Sequence, residues 1–207
     1  MPRLGEDLAP REYTLKRRAE TAAATRLQII KAGAKVYRER GVTNATFQAI
    51  ADEADVSRGT VVNHFGSLDA VLEAVLDRAI EELEYPSARD LDGAANLEDR
   101  IGRFVEVTYR FFDRSSDWWY VFAADTELPA LKKRERDYYE AFGQFVGAAF
   151  GALAGDRIVA AAIRAFVDYP PWNALREAGL TLDESIEVVA DALINVAHKR
   201  ADAGERG

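Results

Sequence analysis

Ser57, Arg58, Gly59, Thr60, Asn63 and His64 fall together in the segment SRGTVVNHFG, interleaved with Val61, Val62 and Phe65. The polar members form a recognition chemistry. An arginine can fork onto guanine and an asparagine onto adenine, while hydroxyls bond a base or a phosphate. Gly59 removes a side chain where a backbone would approach most closely, and Thr46 further upstream offers a hydroxyl beside free helix-start amides. His64 has two readings of equal weight, a packing or hydrogen-bonding residue and a phosphate contact. The apolar residues of the segment need a support to pack against, and the neighbouring elements must supply it.

Those elements read as helices. Apolar residues recur at helical spacing nearly throughout the 207 residues, with no convincing alternating strand pattern. Thr25-Arg26-Leu27-Gln28 has the form of a capping box leading into Leu27, Ile30, Ala34 and Tyr37, with a stop at Gly41; LKRRAETAAAT before it contains no breaker, so an earlier start stays open. Thr46 caps a second, short helix with Phe47, Ile50, Ala51 and Ala54 inward. Asp55 stands where the turn needs a left-handed backbone. Ser57 caps the third helix, anchored by Val56, Val61 and Phe65, and Ser67 caps a fourth that Pro86 stops. Two short helices joined in this way make a helix-turn-helix, with the N-terminal half of the second projecting outward.

Beyond a polar linker, SARDLDGAAN, the pattern predicts a helix from about Leu97 to Arg114 and a short aromatic one opened by Ser116. A long helix follows from Pro129 to about Ala154, then one from Asp156 ended by Pro170-Pro171, two turns of WNALREAG, and a last helix boxed by Thr181 and Glu184. The expected fold class is all-α. A basic N-terminal arm occupies residues 1–24, a helix-turn-helix head 25–67, and a larger helical domain 68–207, to which ligand binding and dimerisation are assigned below.

Charge supports the division. The net charge of −8 conceals an N-terminal excess: residues 1–66 hold 11 Lys and Arg against 8 Asp and Glu, and the remainder 16 against 27. Steering toward phosphates follows the local field. Arg11, Lys16, Arg17 and Arg18 could reach phosphates or a minor groove; the alternative is a solvated charged tail. The chain has no cysteine, which removes disulfides, thiolate metal sites and cysteine nucleophiles and suits a reducing cytoplasm. It has no apolar run of signal-peptide or membrane-span length, so a cytoplasmic location away from membranes is expected. With only two histidines, no H-E-x-x-H and no phosphate loop, no catalytic constellation forms, and no metal or cofactor is expected.

Residues 26–72 resemble the TetR (tetracycline-repressor-like) family of bacterial transcriptional regulators. The matching residues are Gly41, Thr46, Ile50-Ala51, Ala54, Val56-Ser57, Gly59-Thr60, His64-Phe65, Ser67 and Leu72, strong in order and spacing rather than singly. The family usually has an aromatic residue where Val62 stands, a lysine at Leu68 and a glycine at Asp55. The two apolar replacements imply a phosphate footprint that is reduced or carried by the arm.

The resemblance implies a homodimer on a palindromic double-stranded operator, formed by the last two long helices as a four-helix bundle. Their apolar faces are Ile158, Ala161, Ala162, Ala165 and Phe166, and Ile186, Val189, Ala190, Leu193, Val196 and Ala197. Residues 104–145 are dense in aromatics, as an apolar pocket requires. Phe104, Tyr109, Phe112, Trp119, Phe122, Tyr139, Phe142 and Phe166 are its expected lining, with Asp125, Glu127 and Asp168 as possible acidic groups. The reading is a ligand-responsive repressor released by a hydrophobic small molecule. A regulator without an effector and an all-α enzyme are the alternatives.

Overall fold

The structure is a computed structural model that describes residues 10–123 and 128–205, with side chains described over 14–119 and 128–203. Arg11, Phe122, Asp125 and Glu127 therefore lie outside the described side chains. The described residues form nine α-helices and two short 3₁₀ helices and no strand. Two compact units divide the chain, residues 1–79 and 80–207, with the boundary inside one helix. The first unit thus extends past the expected end of the head at 67.

In the first unit, α1 (Pro10–Arg40) runs unbroken through the expected start. The Thr25 hydroxyl caps nothing; it donates to the Thr21 carbonyl at 3.0 Å, and Thr21 does the same to Arg17 at 2.9 Å. Part of the expected arm is therefore helix. From Thr14 to Gln28 every side chain but the half-buried Thr25 is exposed, so this stretch rests on alanine-rich helix propensity. Ile29, Ala32, Val36 and Tyr37 then turn one stripe into the core.

That stripe meets α2 (Phe47–Glu53), α3 (Arg58–Phe65) and the first part of α4 (Leu68–Leu83). Ile50, Ala51, Val61, Val71, Leu72, Val75 and Leu76 are all at most 2% exposed. Full burial of each larger aliphatic contributes about 1.5–3 kcal/mol. Gly33 lets α4 approach α1 closely, since a Cβ there would meet Val75 at 3.1 Å and Val71 at 3.2 Å. Asp55 takes φ 50° in the turn between α2 and α3, as the sequence requires, and Gly66 ends α3 at φ 75°.

The second unit is built on α5 (Leu97–Ala123) packed along α9 (Leu182–Glu205). Ser115 and Ser116 do not break α5. Their hydroxyls return to the carbonyls of Phe112 (3.4 Å) and Asp113 (3.0 Å), so the two expected helices are one. The linker holds a 3₁₀ turn at Ala88–Leu91 whose Leu91 is buried. α6 (Pro129–Phe150) lays Phe145 against Phe104 of α5, ring centroids 4.9 Å apart. A second 3₁₀ turn spans Gly151–Gly155.

α7 (Arg157–Phe166) is capped by Asp156 and stops before the prolines. Pro170 and Pro171 instead open α8 (Tyr169–Glu177), where a missing N–H costs nothing. The expected association face of α9 divides. Val189, Ala190, Leu193 and Ala197 are buried within the chain's own core, Ile186 and Val196 are half-buried, and Val188 is 51% exposed. On α7, Ile158, Ala161, Ala165 and Phe166 are exposed and Ala162 half-buried.

Candidate nucleic-acid interface and apolar pocket

α3 is fixed at both ends. At its start Ser57 accepts the Thr60 amide at 3.0 Å, and the two hydroxyls share a hydrogen bond of 2.8 Å. Both oxygens already have partners in the cap. At its end the guanidinium of Arg26 lies 4.1 Å from the centre of the Phe65 ring and donates from Nη1 to the His64 carbonyl at 3.1 Å. Gln28 reaches from α1 to the Ala54 carbonyl at 2.6 Å, where α2 ends. Val61 is fully buried beneath the helix; Val62, His64, Phe65 and Leu68 are half-buried.

Arg58, Gly59 and Asn63 face outward, and neither polar side chain has a partner among the described residues. Gly59 has an ordinary helical backbone, and a Cβ built on it would meet only Ser57 Oγ, at 3.6 Å. Nothing within the chain requires glycine there, although glycine costs an exposed helix about 0.5–1 kcal/mol relative to alanine. Thr46 is exposed and accepts the Ala49 amide at 3.1 Å as the α2 cap. Lys16, Arg17 and Arg18 form an exposed basic run on α1. Arg26 and Gln28 were not among the expected site residues. Their signal is the core stripe itself, because Arg26 stands three residues before Ile29 on the same face.

In the second unit a cavity of about 300 Å³ is lined by Tyr85, Phe111, Phe112, Ser115, Trp119, Leu131, Arg134, Glu135, Tyr138, Tyr139, Asp168 and Tyr169. Phe112, Trp119 and Tyr139 of the expected lining border it. Phe104 and Tyr109 do not; both are fully buried, packing α5 on its neighbours. Phe142 borders an adjoining hollow of about 210 Å³. Phe166 is 40% exposed, and its carbonyl accepts the Tyr109 hydroxyl at 2.7 Å.

The Trp119 and Tyr169 rings stack at 4.1 Å and 10°. Asp168 caps α8 through Oδ1, which accepts the Tyr169 amide at 2.8 Å. Burial holds the Tyr138 phenol well above its ordinary pKa and the charge of Asp168 raises it further. Burial, with Asp137, pushes Tyr85 up to about 12. Tyr139 is raised by burial, then Asp168 and Glu135, with Arg164 opposing. All three stay neutral hydroxyls near neutral pH. The described residues contain no cluster of His, Cys, Asp or Glu able to hold a metal, and no helix long and apolar enough to cross a membrane.

The sequence model of the family described as bacterial regulatory proteins, tetR family, matches residues 29–75, which lie inside the first unit and run from Ile29 of α1 through the first half of α4. That match places the head of the chain, residues 29–75, with the tetR regulators. Similar relatives include the HTH-type transcriptional regulator TtgR of Pseudomonas putida, 33% identical over 87 residues, covering 42% of this chain and 39% of that protein. SrpR, also an HTH-type transcriptional regulator of Pseudomonas putida, is 40% identical over 76 residues, covering 37% and 36%. The chain thus spans about two fifths of the length of the curated relatives it matches. Likeness of fold extends beyond that stretch. The crystal structure of NalD, the secondary repressor of the MexAB-OprM multidrug efflux pump in Pseudomonas aeruginosa, superposes with a TM-score of 0.62 at 18% identity, covering 85% of this chain and 96% of that one.

Proposed function

We propose that this chain is a homodimeric TetR-family transcriptional repressor that binds a palindromic DNA operator and is released by a hydrophobic small molecule. One observation carries the DNA half. α3 presents Arg58 and Asn63 without partners among the described residues, on either side of a glycine that no contact among those residues requires. In the bound state Arg58 and Asn63 read base edges in the major groove. Thr46, Ser57, Thr60 and His64 meet the flanking backbone, and Lys16, Arg17 and Arg18 neutralise phosphates further out. One such helix reads too few bases for genomic specificity, so a two-fold pair is needed. The exposed Ile158, Ala161, Ala165 and Phe166 of α7, with Val188 of α9, are the apolar surface offered to a second copy.

The 300 Å³ cavity is the effector site, at the lower end of the volumes that hold small molecules. The effector acts by binding the DNA-incompetent conformation more tightly than the competent one, without which it would shift nothing. The test is selection of bound sequences from a random duplex library, followed by footprinting. Two half-sites in inverted repeat are expected, and recovery of no sequence preference sinks the repressor reading. Thermal denaturation against a library of apolar compounds tests the effector separately, because a true ligand raises Tm with concentration.

A further inference from the structure

The cavity's charges are unbalanced. Three charged residues line it, Arg134, Glu135 and Asp168. Arg134 has a counter-charge outside the lining, with Asp137 Oδ2 4.0 Å from Nη1. That leaves two carboxylates facing the space. Asp168 is half-buried and has only Oδ1 engaged, in the α8 cap; Oδ2 has no hydrogen-bond partner among the described residues. Its position at a helix start suits a carboxylate, since the macrodipole favours an anion there. The field it makes is visible at the neighbouring phenols. Asp168 is the largest charge acting on both Tyr138 and Tyr139, and it disfavours their anions. A field that disfavours a phenolate favours a cation in the same place.

Aromatic surface makes up most of the remaining wall. Trp119 and Tyr169 form one flat slab, and the Phe111 and Tyr138 rings lie within 19° of parallel. Such rings attract a delocalised cation through their quadrupoles, more strongly where water is excluded. We propose that this pocket takes a planar aromatic cation, its charge held against Asp168 and its rings against Tyr138 and the Trp119 slab. The assignment rests on the cavity being the effector site and adds the sign of the effector's charge.

The experiment compares 10-methylacridinium with acridine, at a pH where acridine is neutral, by calorimetry and by quenching of tryptophan emission in the full-length protein. The cation is expected to bind about tenfold more tightly, the worth of an ion pair and a cation–π contact in a half-buried site. Asp168→Asn should abolish that advantage and leave acridine unchanged, because asparagine caps a helix as well as aspartate does. Glu135→Gln, on an exposed turn of α6, should weaken the cation by about threefold without touching the fold. Acridine binding as tightly as the cation, or cation affinity unmoved by both substitutions, overturns the charge assignment while the effector reading stands. If neither probe binds and no apolar compound raises Tm, the effector reading and the assignment fall together.

Discussion

Arg26 covers the face of Phe65, its guanidinium 4.1 Å from the ring centre, and thereby ties α1 to the last turn of the proposed recognition helix. The same group donates to the carbonyl of His64, so one side chain serves both packing and a helix end. An exposed cation–π contact is worth about 0.5–1 kcal/mol, and the exposed hydrogen bond beside it adds about 0.5–1 kcal/mol net of exchange with water. Arg26→Met should lower Tm slightly and weaken operator binding about threefold, an effect smaller than 1 kcal/mol. Lysine should not restore it, lacking the flat fork that both contacts use. Operator titration beside thermal denaturation checks this; unchanged affinity would show that the end of α3 needs no such tether.

Arg58 and Asn63 should differ in kind from the basic run on α1. Replacing either by alanine should cost about 1–3 kcal/mol of discrimination between operator and mutant operator, with the salt dependence nearly intact. Replacing Lys16, Arg17 and Arg18 by alanine should instead flatten the plot of log affinity against log salt, by about 0.9 for each phosphate no longer neutralised. A flattened slope in the Arg58 variant would make that residue a phosphate ligand.

The exposed face of α7 predicts the state of association. Ile158 and Phe166 are 45% and 40% exposed, so aspartate at both positions should leave the fold of a single chain intact and halve the mass measured by analytical ultracentrifugation. Val189, 2% exposed, is the contrasting position, where aspartate should unfold the second unit. A dimer that survives both α7 substitutions places its interface elsewhere.

Gly59→Ala should move stability and binding in opposite directions. Alanine meets no obstacle within the chain, so the variant should gain about 0.5–1 kcal/mol against denaturant. The added methyl should weaken operator binding if the backbone there approaches DNA. A variant that is more stable and binds equally well would leave the glycine without a role.

Much of the fold was legible because its signals are local. Thr46, Ser57, Ser67 and the Thr181–Glu184 pair all cap where their spacing says, each satisfying an amide a few residues away. Asp55 likewise announced its left-handed turn. The same residue types misled where a hydroxyl had a second option: Thr25, Ser115 and Ser116 bond back to preceding carbonyls and sit inside helices.

Surfaces made by packing were less legible. Val188 and Val189 are adjacent and identical in type, yet one is exposed and the other buried, because only the seat of α9 on α5 decides which side turns inward. The cavity has the same difficulty. Phe104 and Tyr138 belong to equally aromatic helices, but Phe104 fills the α5–α6 contact and Tyr138 borders open space. Asp168 stood among three candidate acids while Glu135 carried no signal of its own, since nothing local marks which carboxylate tertiary structure will bring to a cavity.

Residues 14–28 of α1 bury almost nothing, and an isolated helix of that length is marginal in water. Their amides should therefore exchange with deuterium far faster than those beside Val36. On meeting a polyanion, the Lys16–Arg18 turn would stiffen as its charges are neutralised, and the loss of chain freedom would offset part of the attraction. Warming the free protein should unravel this stretch first, so the proposed grip on DNA should weaken well below the temperature at which the core melts.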